Sequence, residues 1–259
     1  SILFNGTLGF GESYMKGWFD CDRLDLFFEK ILSSGVYREI GGVPLFFGKV
    51  KSKLRNLQSI SRAFQVAESH YDIGNDLFSL MLDKTMMYTC GYWTKDVSSL
   101  EESQLAKLDL VAKKLNLKAG MKVLDIGCGW GGAAKHFANN YGVTVVGITI
   151  SKEQIEYAKQ NSDNMDVEFR LMDYRDLDEK FDAIYSIGMF EAVGYKNYEE
   201  FFEVVRGCLK EEGAFLLHTI GGNESITTTD PWVEKYIFPN GMMPSAEQIA
   251  KASEGIFIF

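Results

Sequence analysis

The chain has 259 residues, 46% of them apolar, enough to bury a full core as one large domain with a smaller appendage. Its formal charge of −9 disfavours nucleic acid as a partner, and it would repel an anionic membrane except where a local basic patch overrides it. No apolar run approaches the ~20 residues of a membrane-spanning helix, nothing resembles a signal peptide, and the four cysteines (Cys21, Cys90, Cys128, Cys208) lie far apart without a C-x-x-C pair. That cysteine usage fits a reducing cytoplasm and argues against a disulfide or zinc framework, so no metal is expected.

Residues 1–48 are rich in glycine and aromatics and read as a partial N-terminal domain. Asp22 is the expected N-cap of a helix over 23–33, with Leu24, Phe27, Phe28 and Ile31 as its buried face. The acids Glu12, Asp20 and Asp22 read as solvated surface or caps. Residues 49–62 carry five basic side chains and no acid. They form either an ordinary solvated linker or a segment that touches anionic lipid heads. A catalytic domain is expected over 63–259. Within it, Leu77, Phe78, Met81 and Leu82 suggest a helix, followed by a loop dense in Tyr88, Cys90, Tyr92 and Trp93 that could pack on the core or line an apolar pocket. The chain lacks an initiator Met and ends on the apolar run Gly255–Phe259, so a fragment cut at the C-terminus, and at both ends, is expected.

From Ser99 the pattern becomes regular. Ser99 and Glu102 form a capping box for a helix running to about Leu115. Strand 122–126, helix 131–141, strand 143–149, helix 151–161, strands 167–172 and 181–187, helix 197–210 and strand 213–220 follow. Ser151 as an N-cap and Gly142 and Gly213 near helix ends mark the boundaries. The fold class is α/β, a doubly wound, mostly parallel sheet, which places ligands at the C-terminal ends of the strands.

The first strand runs into V-L-D-I-G-C-G-W-G-G-A, residues 123–133. A strand, a tight glycine turn and a helix N-terminus make a cradle for the polar end of a nucleotide-like ligand. Gly127, Gly129 and Gly132 satisfy the dinucleotide fingerprint, while Asp125 tilts the reading toward the S-adenosylmethionine variant D-x-G-x-G-x-G. A dehydrogenase would want an acid roughly 20 residues after the first glycine to hold the ribose. Gly147-Ile148-Thr149 stands there instead, and Asp173, after the third strand, suits an adenine amino group. Thr149, Ser151 and Gln154 follow the second strand, Asp173 and Tyr174 the third, Glu191 the fourth, and His218 closes the fifth. All would face one crevice. His136 reads as surface and His70 as structural.

These residues resemble the cyclopropane-fatty-acyl-phospholipid synthase family, relatives of the mycolic acid cyclopropane synthases. The likeness runs through L-G-F-G-E-S-Y-M-K-G-W (8–18), H-Y-D-I-G-N-D (70–76), Y-T-C-G-Y-W (88–93), V-L-D-I-G-C-G-W-G (123–131), G-I-T-I-S-K-E-Q (147–154), M-F-E-A-V-G (189–194), H-T-I-G (218–221) and Y-I-F-P-N-G (236–241). The resemblance implies a class I, Rossmann-like S-adenosylmethionine-dependent methyltransferase. Such an enzyme would transfer a methylene onto a cis double bond of an unsaturated phospholipid acyl chain and form a cyclopropane ring. It implies cofactor contacts at Tyr88, Thr89, Asp125, Gly127, Cys128, Gly129, Trp130, Gly131, Gly132, Ala133, Thr149, Ile150, Ser151, Gln154, Tyr174 and Arg175, beside Asp173. It also implies a bicarbonate site on Cys90, Glu191, His218 and Ile220, with a further site tyrosine downstream of this sequence. A cytoplasmic protein held peripherally at the inner face of the membrane, and a homodimer, belong to the same expectation.

That chemistry would need a sulfonium methyl held in line with a poorly nucleophilic alkene, aromatic faces to stabilise a carbocation-like centre, and a base for the last proton. Tyr88, Trp93, Phe190 and Tyr236 are candidate faces, each with core packing as the ordinary alternative. Cys90 has no nucleophilic role, because no covalent step is required. Two other readings stand beside this one: another S-adenosylmethionine-dependent lipid C-methyltransferase, and a non-catalytic membrane-associated module with the same fold.

Overall fold

The computed structural model describes residues 2–35 and 75–258 and, between them, Gly48, Ser52, Asn56 and Gln58. The rest of the basic stretch 49–62 lies outside the described residues, as does His70. The chain divides into two compact units, 1–57 with 226–242, and 58–225 with 243–259. The segment 226–242, expected within the catalytic domain, groups with the N-terminal residues.

In the first unit, α1 (Ile2–Met15) is interrupted at Gly6, and α2 (Leu24–Ser34) ends on the left-handed Gly35. Asp22 does not cap α2. Arg23 holds that position without a side-chain bond, its guanidinium being paired with Asp25. The expected apolar face is only partly formed. Phe27 and Ile31 are half-buried, while Leu24 and Phe28 are exposed. Glu12 is a surface acid that accepts from Lys235 Nζ (2.6 Å) and Tyr236 Oη (2.9 Å), which α8 (Pro231–Tyr236) presents.

The second unit is built on a five-stranded parallel sheet, order β3-β2-β1-β4-β5, formed by β1 (Lys122–Ile126), β2 (Thr144–Thr149), β3 (Val167–Leu171), β4 (Phe181–Ile187) and β5 (Leu209–His218). Its helices are α3 (Asn75–Met81), α4 (Leu100–Lys114), α5 (Gly132–Tyr141), α6 (Lys152–Gln160), α7 (Tyr198–Cys208) and α9 (Ala246–Ser253). β1 and β2 are buried along almost their whole length, as strands covered on both faces must be. The core gathers Leu108 and Val111 from α4, Phe137 from α5, Val123 and Val145 from the central strands, and Phe169 and Tyr185.

Local signals set most boundaries. Ser99 accepts from the Glu102 amide while Glu102 returns a bond to the Ser99 amide, the reciprocal box that starts α4. Ser151 Oγ accepts from the Gln154 amide at the start of α6, and Gly142 closes α5 in the left-handed region. Gly213 marks no helix end. It lies inside β5, where a side chain would run into Leu209 and the Asp182 carbonyl. β5 therefore begins directly after α7, at Leu209, whose extended backbone ends the helix.

The chain passes from β1 through α5 and β2 to β3 on one side of the sheet, and returns to lay β4 and β5 on the other. The reversal between β1 and β4 is the topological switch point, and ligands of such sheets bind beside it at the C-terminal strand ends.

Candidate active site

The loops at that end carry the residues singled out from sequence. After β1, the turn 127–131 places Gly131 at φ 79° as the N-cap of α5, an angle that costs an ordinary side chain about 1 kcal/mol or more. Gly129 sits at φ 54° with nothing within 4 Å of where a Cβ would project. A glycine backbone facing open space beside a helix N-terminus is what the polar end of a nucleotide-like ligand requires. Gly132 packs against the Thr85 carbonyl so closely that any larger residue would collide.

The remaining cofactor candidates fall into two groups. Thr149 Oγ1 bonds Gln154 Oε1 at 3.0 Å and accepts from the Ser151 amide at 3.2 Å, which fixes the loop after β2 through Ile150. Asp125, Cys128, Trp130 and Ala133 are buried to the same degree as Thr149, Ser151 and Gln154. Asp125 accepts from Tyr185 Oη across the β1–β4 pair at 2.9 Å, and burial pushes its carboxyl up to about 7 against the pull of that bond. Trp130 Nε1 donates to Asn75 Oδ1 at 2.7 Å and its ring packs on Phe78. After β3, both Asp173 oxygens are taken by Arg175 (2.8 and 2.9 Å), whose guanidinium also lies over the Tyr174 ring. The carboxylate expected to meet an adenine amino group thus first pins its own turn.

A second cluster forms from four separate segments. Cys90 Sγ lies 3.6 Å from His218 Nε2 at the end of β5. The Gly188 amide, after β4, donates to the His218 carbonyl at 2.9 Å. Glu191, on the turn 190–192, accepts from the Ile220 amide through Oε1 at 2.7 Å. Its Oε2 and His218 Nδ1 are buried without a hydrogen-bond partner among the described residues. Burial, and then the nearby Lys107 charge, hold His218 below the ordinary imidazole range, so near neutral pH the ring carries one N–H and one acceptor nitrogen. Buried polar atoms left unmatched cost free energy unless a bound group meets them. A small oxyanion carrying one O–H supplies both complements, a donor for Glu191 Oε2 and an acceptor for a His218 N–H. The Ile220 amide, expected to face such an ion, is occupied by Glu191.

The aromatic candidates part company. Phe190 is fully buried, stacked on Tyr198 at 4.4 Å and packed on Phe201 and Phe202, so it is core. Tyr236 belongs to the first unit, bonded to Glu12. Tyr88 and Trp93 are exposed. His136 is not a surface residue: its ring bonds Asp109 at 2.9 Å, and its side chain is mostly buried. Two residues escaped the sequence reading, Gln104 and Lys107, both buried on α4. Their signal was present, since they share the inward face with Leu108 and Val111 at helical spacing.

A parallel five-stranded sheet of this order, with a glycine turn after its central strand, is the fold of S-adenosylmethionine-dependent methyltransferases. It aligns with coclaurine N-methyltransferase at 28% identity, with a TM-score of 0.61 over 71% of this chain and 57% of that one. The pattern of the mycolic acid cyclopropane synthetase family matches residues 58–257, and the chain belongs to that family. It is 53% identical over 261 residues to the cyclopropane-fatty-acyl-phospholipid synthase of Escherichia coli K12, covering 99% of this chain and 67% of that protein. Among solved structures it resembles the Mycobacterium tuberculosis cyclopropane synthase MmaA2, with a TM-score of 0.68, 35% identity and 73% of each chain covered.

Proposed function

We propose that the protein transfers a methylene from S-adenosylmethionine to a cis double bond of an unsaturated phospholipid acyl chain, closing a cyclopropane ring with bicarbonate as the base. The observation that carries this reading is that Glu191 Oε2 and His218 Nδ1 are each buried without a hydrogen-bond partner among the described residues, with Cys90 against the His218 ring. Family membership and the glycine turn support the cofactor. The 53% identical E. coli relative, named a cyclopropane-fatty-acyl-phospholipid synthase, supports the substrate class.

S-adenosylmethionine would supply an electrophilic sulfonium methyl, and bound bicarbonate would supply a base for a proton of the transferred carbon. The protein's part is to hold and to exclude. The turn 127–132 and Thr149 to Gln154 would hold the cofactor; Glu191 would accept from the bicarbonate O–H, and His218 would donate to its oxygen. Attack of the alkene carbon on the methyl breaks the carbon–sulfur bond and leaves a cationic centre on the chain. Loss of one methyl proton closes the ring and restores neutrality. Cys90, a thiol against His218, orients the ring without forming a bond to substrate.

Such an acyl substrate would be met at a membrane surface, which supports a protein held peripherally at the inner face from the cytoplasm. Among the described residues no helix is long and apolar enough to cross one. The basic stretch 49–62 suits anionic lipid heads, and exposed Met15, Trp18, Phe28 and Leu32 suit a homodimer contact in the N-terminal unit. Incubation with vesicles of cis-unsaturated phospholipid and trideuteromethyl cofactor tests the reaction. Mass spectrometry should show a ring lacking one deuteron; a product that keeps all of them, or no product, refutes ring closure.

A further inference from the structure

Lys107 is 4% exposed, yet among the described residues it forms no ion pair. Its Nζ donates to Thr89 Oγ1 (2.8 Å) and Gln104 Oε1 (2.5 Å), both neutral, and no further partner is recorded for it among the described residues. Gln104 Nε2 donates to the Thr89 carbonyl at 2.7 Å, so α4 grips Thr89 twice, directly before Cys90. Thr89 also packs against Gly188, whose amide supports the His218 carbonyl. The ammonium is thereby built into the wall of the cluster that holds Cys90, His218 and Glu191. A neutral side chain would serve as a clamp at lower desolvation cost, because a buried charge without a counter-charge is expensive.

The charge count at the site accounts for the lysine. Glu191 is negative and a bound monoanion would be negative, while the sulfonium is positive, leaving one negative charge in excess. We propose that Lys107 is the positioning residue that balances this charge, allowing bicarbonate to bind beside the Glu191 carboxylate. The inference rests on the bicarbonate reading above. The titratable groups that act on Lys107 are Cys90 and Asp83, and Lys107 in turn acts on His218. Asp83 does not neutralise it by contact, because its oxygens are taken by Thr85 and the Met87 amide. Burial lowers the Lys107 ammonium to about 8, against the opposing pull of Cys90 and Asp83.

The test is line broadening of ¹³C-labelled bicarbonate in carbon-dioxide-depleted buffer, followed for the wild type, K107M, K107R and Q104L. K107M should weaken bicarbonate roughly ten- to hundred-fold, the range expected of one unit charge about 6–12 Å away at an effective dielectric constant of about 20. K107R should restore most of the affinity. Q104L, which loosens the Thr89 grip but keeps the charge, should stay within a few-fold of wild type. In turnover, K107M should raise the KM for bicarbonate and leave the KM for S-adenosylmethionine unchanged. Where K107M does not fold, K107Q, which keeps a donor to Thr89 without the charge, gives the same comparison. Equal bicarbonate affinity in K107M and wild type, or equal weakening in Q104L and K107M, overturns the role of Lys107 alone. A wild type that makes product yet neither broadens nor needs bicarbonate overturns the bicarbonate reading and this inference with it.

Discussion

Replacing Asp125 by Asn should make the ligand-free protein more stable above neutral pH and remove a pH dependence of known sign. Asp125 is buried on the central strand, where it accepts from the Tyr185 hydroxyl, and its carboxyl is pushed up to about 7 from 3.8. The folded protein thus holds this proton more tightly than the unfolded chain. Between about pH 4 and pH 7 the native state binds the extra proton, so stability falls as pH rises through that window. A rise of about 3 pH units corresponds to about 4 kcal/mol, an upper bound because buried carboxylates recruit water and relax. The assay is urea unfolding from pH 4 to 8 in the absence of cofactor, read as the difference between D125N and wild type. That difference should grow in favour of D125N by several kcal/mol from the acid to the alkaline end and level off above pH 7. Parallel curves would show that Asp125 ionises at its ordinary pH, and would refute the argument that burial of this strand position dominates its titration. Cofactor binding should weaken in the same variant if the carboxylate is kept to meet a cationic ligand, which calorimetry reads directly.

Glu191→Gln should leave S-adenosylmethionine affinity intact in calorimetry and lower turnover roughly 10²- to 10⁴-fold, the usual worth of a positioned base, because the bicarbonate base would lose the carboxylate that holds it; near-normal activity at saturating bicarbonate would remove Glu191 from that holding role. Phe190→Ala should cost about 3–5 kcal/mol in urea unfolding, since it empties the centre of the packing against Tyr198, Phe201 and Phe202; an unchanged midpoint with reduced turnover would return Phe190 to the reaction. Reversing the charges of Lys49, Lys51, Lys53 and Arg55 should weaken sedimentation with anionic vesicles by about 1 kcal/mol per side chain near the surface. Unchanged sedimentation makes the stretch a solvated linker.

The sheet was legible in the sequence because each strand of a covered parallel sheet is an apolar run closed by a turn signal. Strands 122–126 and 181–187 fall where the pattern places them. The failures have a common physical origin. A cap needs a backbone geometry as well as a side chain, so Asp22 could qualify by residue type and still leave α2 to begin after Arg23. Gly213 could equally close a helix or admit a close contact, and only the neighbouring Asp182 carbonyl decides between them. Apolar spacing on α2 predicts a buried face but not a partner to bury it, and Leu24 and Phe28 remain exposed.

The site divides along the same line. Residues that act through backbone geometry, such as Gly129 and Gly131, announce themselves by their type. Residues that act through charge must be weighed against every other charge nearby, and these come from distant parts of the chain. Glu191 and His218 are 27 positions apart and Lys107 more than 80 before either, so no local pattern could show that one carboxylate, one imidazole held neutral and one ammonium share a cluster. Once together they constrain one another. A histidine kept neutral by burial and by Lys107 can donate to an oxyanion without adding a second positive charge. Glu191, tethered through Oε1 to the Ile220 amide, can offer Oε2 alone. The glycine turn admits a nucleotide-like cofactor; on the function proposed above, this charge set would govern what is done with the methyl that the cofactor brings.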